Sequence, residues 1–226
     1  MKFFLDTADL GEIAEAASWG VLAGVTTNPS LYARIGGKLS DFETHVRRIC
    51  DLVDGPVSAE STATGRADIV AQGRALAALS PQVVVKVPVT VEGLAATRAL
   101  ADEGVRVNMT LCFSVPQAIL AARSGARYVS PFVGRFDDIA EDGASQLGDI
   151  VEALGNYDLS SCGVAHETIE VIAASVRNAG HVTQAALLGA DIATVPFKVL
   201  KACVAHPLTD RGLDAFDKDW KKVTNA

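Results

Sequence analysis

Short apolar runs rich in β-branched residues recur along this chain, and a longer amphipathic or alanine-rich stretch follows each of them. The runs lie at about Phe3–Thr7, Gly24–Asn28, Val57–Glu60, Val83–Pro88, Arg106–Leu111, Tyr128–Val133, Ile169–Ser175 and Ile192–Pro196. The helical stretches between and after them are Asp9–Trp19, Asp41–Val53, Ala67–Leu79, Val91–Glu103, Ser114–Ser124, Asp137–Leu154, Val182–Leu188 and Phe197–Ala205. Strands alternating with helices call for a parallel sheet covered by helices. Eight such units in 226 residues predict an α/β fold, a closed (β/α)8 TIM barrel at the short end of its size range. An open doubly wound sheet is the alternative, but no GxGxxG follows the first strand. No linker or low-complexity segment interrupts the pattern, so residues 1–226 read as a single domain. A tail over about 208–223 reads as an extra C-terminal helix, with Leu213, Phe216 and Trp220 at helical spacing. Gly155–Glu167 reads as a loop.

Composition excludes several function classes. A formal net charge of −7 argues against nucleic-acid partners, which need a basic face. It leaves anionic small molecules open, because a few local arginines hold a phosphate on an acidic protein. No apolar run approaches membrane-span length, and Asp6 comes too early for a signal peptide. A cytoplasmic protein is expected. Cys50, Cys112, Cys162 and Cys203 are mutually distant and form no CxxC; free thiols in a reducing compartment are expected, with disulfides or a metal site as the alternatives. His45, His166, His181 and His206 show no ligand spacing, so no metal is expected.

The run VVVKVP places Lys86 inside an apolar strand, although lysine is among the residues least often buried. Either its charge escapes to solvent at the strand's end, or the chain needs an amine in a dry place, and Lys86 is not alone. Polar residues stand at or near the C-terminal ends of most of the other strands: Asp6, Asn28, Glu60, Asn108 with Thr110, Ser130, and Ser175 with Arg177. In a (β/α)8 barrel those ends carry the chemistry. Residues at i and i+2 share a strand face. Asn108 therefore goes with Thr110, Ser130 with Phe132, Thr26 with Asn28, and Ser175 with Arg177. Each residue alone has a structural reading as a cap, a turn or a snorkelling side chain. The whole set at one end of the barrel is harder to explain that way.

A lysine amine is nucleophilic only when neutral. Its ordinary pKa is about 10.4, and burial disfavours the ammonium. The neutral amine attacks a ketone and forms a Schiff base. The iminium is an electron sink, so a neighbouring carbon–carbon bond can break. That chemistry needs proton shuttles. Asp6 and Glu60 are the carboxylates on this face, and Thr110 can hold a water between Glu60 and the imine. Arg135 and Arg177 can grip a phosphate bidentately.

With these residues in hand, the chain resembles the small transaldolase family, which includes the fructose-6-phosphate aldolases. The resemblance is carried by FFLDTAD, GVTTNPS, VSAE, VVVKVPVT with EGL, VNMTLCFS, YVSPFVGR with DD, IAASVRN, and ADIATVPF with the HPLTD tail, from Phe3 to about Trp220. It implies a (β/α)8 barrel with Lys86 as the Schiff-base lysine and Asp6 as the acid/base of carbon–carbon cleavage. It implies a water-holding relay of Glu60 and Thr110. Asn28, Asn108 and Ser130 would hold substrate hydroxyls, and Ser175, Arg177 and Arg135 the phosphate. No metal or organic cofactor is implied. The aldolase branch carries glutamine and tyrosine where this chain has Glu60 and Phe132, so by this resemblance Glu60 and Phe132 are transaldolase-like, as is Arg177. Two departures border the seventh strand: NAGHV follows Arg177 where many small relatives place a proline, and Gly155–Glu167 is longer than usual.

The expected activity is Schiff-base transfer of a dihydroxyacetone unit from sedoheptulose 7-phosphate or fructose 6-phosphate to an aldose phosphate, in the pentose phosphate pathway. The alternatives are an aldolase releasing free dihydroxyacetone and a non-catalytic barrel that binds sugar phosphates. The small family members form rings, so the resemblance also implies a homo-oligomer, a pentamer or decamer, with the C-terminal helix reaching a neighbour; packing of that helix on its own barrel is the alternative.

Overall fold

The computed structural model describes residues 1–156 and 169–224. Eight parallel strands close into a barrel in sequence order: β1 (Lys2–Asp6), β2 (Leu22–Thr26), β3 (Val57–Glu60), β4 (Val83–Pro88), β5 (Val107–Cys112), β6 (Tyr128–Pro131), β7 (Glu170–Ala173) and β8 (Ile192–Val195). Pairing of β1 with β8 completes the ring. The surrounding helices are α1 (Leu10–Ser18), α2 (Pro29–Arg34), α3 (Phe42–Leu52), α4 (Arg66–Ala77), α5 (Val91–Asp102), α6 (Val115–Arg123), α7 (Val133–Asp137), α8 (Gly143–Gly155), α9 (Ala179–Leu187), α10 (Phe197–Val204) and α11 (Pro207–Thr224). This is a (β/α)8 barrel with an extra C-terminal helix.

The period-two alternation of the strands sorts their side chains into two shells. Residues facing outward, such as Leu5, Val25, Val85, Val87, Val107, Met109 and Val129, pack under the helices in one large core. Residues facing inward form a smaller plug of Phe4, Val84, Tyr128, Ile172 and Ile192. Two residues further along the same strands, the inward positions turn polar: Asp6 after Phe4, Lys86 after Val84, Ser130 after Tyr128 and Thr194 after Ile192. The plug is thus an apolar floor under a polar layer. Gly24 makes room for it, since a Cβ there would stand 2.7 Å from the Phe4 ring.

Most strand ends fall within one residue of those the sequence predicts, but β2, β6 and β7 each end two residues earlier. β2 covers Leu22–Thr26 rather than Gly24–Asn28, because Asn28 is the N-cap of α2 and Pro29 its first residue. β6 stops at Pro131, where α7 takes over, and β7 stops at Ala173. The predicted loop at Gly155–Glu167 lies, beyond Asn156, outside the described residues, as do Cys162 and His166. Among the described residues Cys50, Cys112 and Cys203 are free thiols, and no helix is long and apolar enough to cross a membrane.

α11 stands apart from the barrel. All but one of its residues are exposed, including Leu208, Leu213, Phe216, Trp220 and Val223.

Candidate active site

A cleft of about 790 Å³ opens at the C-terminal ends of the strands. Asp6, Asn28, Glu60, Lys86, Thr110, Ser130, Phe132, Arg135, Ser175 and Arg177 all line it. Ten of the eleven residues singled out in the sequence therefore meet in one cavity. The eleventh, Asn108, is fully buried. Its amide nitrogen donates to Ser58 Oγ (3.1 Å) and its Oδ1 accepts from Ser130 Oγ (2.7 Å). Asn108 fixes Ser130 from inside the barrel rather than forming part of the cavity wall.

Lys86 sits mid-layer, only 4% exposed. Its Nζ lies 2.9 Å from Glu60 Oε2 and donates to the Thr27 carbonyl at 3.2 Å. Glu60 and Lys86 are register partners on neighbouring strands, which sets this contact by backbone pairing alone. Lys86 also pairs with Asn108 on its other side.

Asp6 ends β1 and accepts a hydrogen bond from Thr26 Oγ1 at 2.8 Å. Burial pushes its carboxyl above the ordinary carboxylate range, while the Lys86 charge and the Thr26 hydroxyl pull the other way. Two carboxylates with different surroundings thus flank one amine. Thr110 is 1% exposed, and its hydroxyl has no hydrogen-bond partner among the described residues although it lines the cavity. A buried orphan hydroxyl of this kind suits a bound water or substrate oxygen.

Asn28 is oriented by its capping role. Its Oδ1 accepts from Leu31 N (2.9 Å), which leaves its amide nitrogen to donate into the cleft. Phe132 presents its ring to the cavity and is held edge-on by Phe113, which in turn meets Phe136, each pair at 5.8 Å between centroids. On the β6–β7 side, Arg177 pairs with Asp138 at 2.7 Å. Gly134 permits this wall to close, because a Cβ there would stand 2.3 Å from the Ser175 carbonyl. Ser175 (φ 58°) and Leu111 (φ 56°) both adopt left-handed backbone at the cavity. Non-glycine strain of this sort gathers where surrounding structure holds a site in place.

Several lining residues escaped the sequence reading: Leu111, Thr194, Arg34 and Lys198. Thr194 carried a signal, since it is the inward position two before Pro196. Arg34 and Lys198 sit on helices that follow strands, where no strand periodicity points to them. No group of three or more His, Cys, Asp or Glu able to hold a metal occurs among the described residues.

An amine, two carboxylates and an unpartnered hydroxyl line one cleft together with arginines, and side chains of these kinds can support Schiff-base chemistry. The family model for transaldolase/fructose-6-phosphate aldolase matches residues 3–226. The chain belongs to this family. A probable transaldolase of Desulfosudis oleivorans is 54% identical over 223 residues, covering 99% of both chains. A probable transaldolase of Thermus thermophilus is 56% identical over 229 residues, again with 99% of both covered. Among solved structures, a thiamine phosphate pyrophosphorylase from Pyrococcus furiosus superposes with a TM-score of 0.58 at 16% identity, covering 86% of this chain and 85% of that one. At that identity the likeness speaks for the barrel alone. Within the transaldolase/aldolase family, this chain carries the glutamate and phenylalanine at positions 60 and 132.

Proposed function

We propose that this family member is a transaldolase that moves a dihydroxyacetone unit between sugar phosphates through a Schiff base on Lys86. The neutral Lys86 amine adds to the C2 carbonyl of a ketose phosphate such as fructose 6-phosphate or sedoheptulose 7-phosphate. Glu60, acting through a water held on Thr110, supplies and removes the protons that turn the carbinolamine into an iminium and water. Asp6 takes the C4 hydroxyl proton, the C3–C4 bond breaks, and its electrons flow into the iminium. The aldose phosphate leaves, and an enamine of dihydroxyacetone stays bound to Lys86. An acceptor aldehyde then takes the enamine carbon, Asp6 returns the proton to the new alkoxide, and hydrolysis frees Lys86. Atoms balance with no other cofactor.

Asn28 and Ser130 hold the dihydroxyacetone hydroxyls. Asn108 supports Ser130, and would reach a substrate oxygen only by exchanging one of its two hydrogen bonds. Ser175, Arg177 and Arg135 bind the phosphate. Phe132 offers no proton, so the enamine waits for an acceptor rather than being released. The observation that carries this reading is the 2.9 Å contact of Lys86 with Glu60 beside a second, half-buried carboxylate, Asp6, in the same cleft. Turnover of fructose 6-phosphate with and without a four-carbon aldose phosphate tests it. Acceptor-dependent turnover is expected. Equal turnover without acceptor would instead make the enzyme an aldolase.

We further infer a cytoplasmic place in pentose phosphate metabolism and a homo-oligomer, a pentamer or decamer. The unpartnered apolar residues of α11 support assembly, since Leu213, Phe216 and Trp220 are 62%, 74% and 67% exposed and a second copy would cover them.

A further inference from the structure

We propose that Thr194 is a positioning residue for Asp6, acting through Thr26. The inference rests on the reading of Asp6 as the proton acceptor of carbon–carbon cleavage. β8, β1 and β2 are consecutive in the barrel, and their inward residues Thr194, Asp6 and Thr26 meet above the apolar floor. Thr26 Oγ1 donates to Asp6 Oδ1 at 2.8 Å and stands 2.5 Å from Thr194 Oγ1. Thr26 and Thr194 are each 2% exposed.

A threonine hydroxyl has one proton. An ionised Asp6 can only accept, so the Thr26 proton points to it. The short contact with Thr194 must then carry the Thr194 proton, and the order is Thr194 to Thr26 to Asp6. Serial donation polarises each hydroxyl and strengthens the last bond. Because Oδ1 is taken, Oδ2 is left to receive the proton of the substrate hydroxyl. Thr194 thus sets both the rotation of the carboxylate and the strength of the bond that favours its ionised form. Its own hydroxyl has no other partner among the described hydrogen bonds, although it lines the cleft.

The charged groups that act on Asp6 are Lys86 from β4, Glu60 from β3 and Arg34 from α2. Glu12 of α1 and Lys198 of α10 line the same cavity. From β2 and β8 the neighbours of the carboxylate are the two neutral threonines, so a change at Thr194 alters hydrogen bonding without altering charge.

The test compares Thr194→Val, Thr194→Ser and Asp6→Asn in the full chain. Valine keeps the shape and removes the hydroxyl, and Thr194→Ala serves in its place should valine pack poorly. The lost donation lowers kcat about three- to tenfold at neutral pH, with KM changed less than about twofold. The acid limb of the kcat profile moves to higher pH, because the carboxylate has lost support. Serine restores both. Borohydride trapping of the ketose on Lys86 is unchanged, since imine formation does not run through Asp6. An inactive Asp6→Asn beside a Thr194→Val that keeps wild-type kcat and acid limb would overturn the inference and leave the assignment of Asp6 standing. An Asp6→Asn variant that retains full transfer would remove that assignment, and the inference with it.

Discussion

Glu60 and Lys86 face each other across β3 and β4 at paired register positions, with the carboxylate oxygen 2.9 Å from the amine nitrogen. Their side chains are 14% and 5% exposed. The pair places a proton acceptor beside the nucleophile, while Asp6 approaches from β1. In the proposed mechanism the two carboxylates serve different steps, so variants at each should fail differently. Glu60→Gln should slow the formation of a trappable Lys86 adduct about ten- to a hundredfold. Asp6→Asn should form the adduct normally yet lose transfer by about a hundredfold or more. Stopped-time borohydride trapping alongside steady-state transfer reads both.

Asp6 also makes stability depend on pH. Its folded carboxyl titrates above the ordinary value of 3.8, chiefly through burial. Between the unfolded and folded values the folded chain binds more protons, so stability falls as pH rises through that window and stays lower above it. Asp6→Asn removes this destabilisation. Its Tm at pH 7 should match or exceed that of the parent by up to about 3 °C, and the difference should close as the pH approaches the ordinary value. A clearly lower Tm at pH 7 would show that the Asp6–Lys86 attraction outweighs desolvation.

Phe132 lies on the cavity wall, where Phe113 holds its ring edge-on. Phe132→Tyr adds a hydroxyl that can protonate the enamine. Release of dihydroxyacetone from fructose 6-phosphate without acceptor should rise about tenfold, while the acceptor-dependent rate falls. An unchanged acceptor-free rate would show that the ring does not face the enamine carbon.

The α11 stripe predicts assembly. Phe216 and Trp220 are each more than half exposed, and aromatic side chains of this kind bury about 150–250 Å² apiece when covered. A Phe216→Ser/Trp220→Ser variant should elute at a lower mass by size exclusion with light scattering. Identical masses for variant and parent would mean that these two rings do not hold copies together.

Much of this was legible in the sequence because barrel strands carry a strong periodic signal. β3 and β4 fall where the sequence places them, Val57–Glu60 and Val83–Pro88, since β4 is a valine run closed by Pro88 and β3 is a short run set between Pro56 and the polar stretch that begins at Ser61. α2 was not legible. Six residues are too few for a helical period, and Asn28–Pro29 reads equally as a turn or as a cap followed by N1. That ambiguity moved the end of β2 by two residues. α7 is shorter still and follows β6 directly at Val133. Asn108 shows a different limit. Strand periodicity put it on the inward face with Thr110, correctly, but depth along the barrel depends on strand stagger, which no single strand encodes. Arg34 and Lys198 reach the cleft from helices, so only the assembled barrel reveals them.

The most direct measurement is the identity of the residue that carries the substrate. Incubation with fructose 6-phosphate and no acceptor, followed by borohydride reduction, intact mass and peptide mapping, locates it. A reduced dihydroxyacetone or hexose phosphate adduct on the peptide containing Lys86, absent in Lys86→Met, is the expected result. A folded protein that forms no adduct with either ketose phosphate, or a Lys86→Met variant that keeps transfer activity, would contradict the Schiff-base assignment.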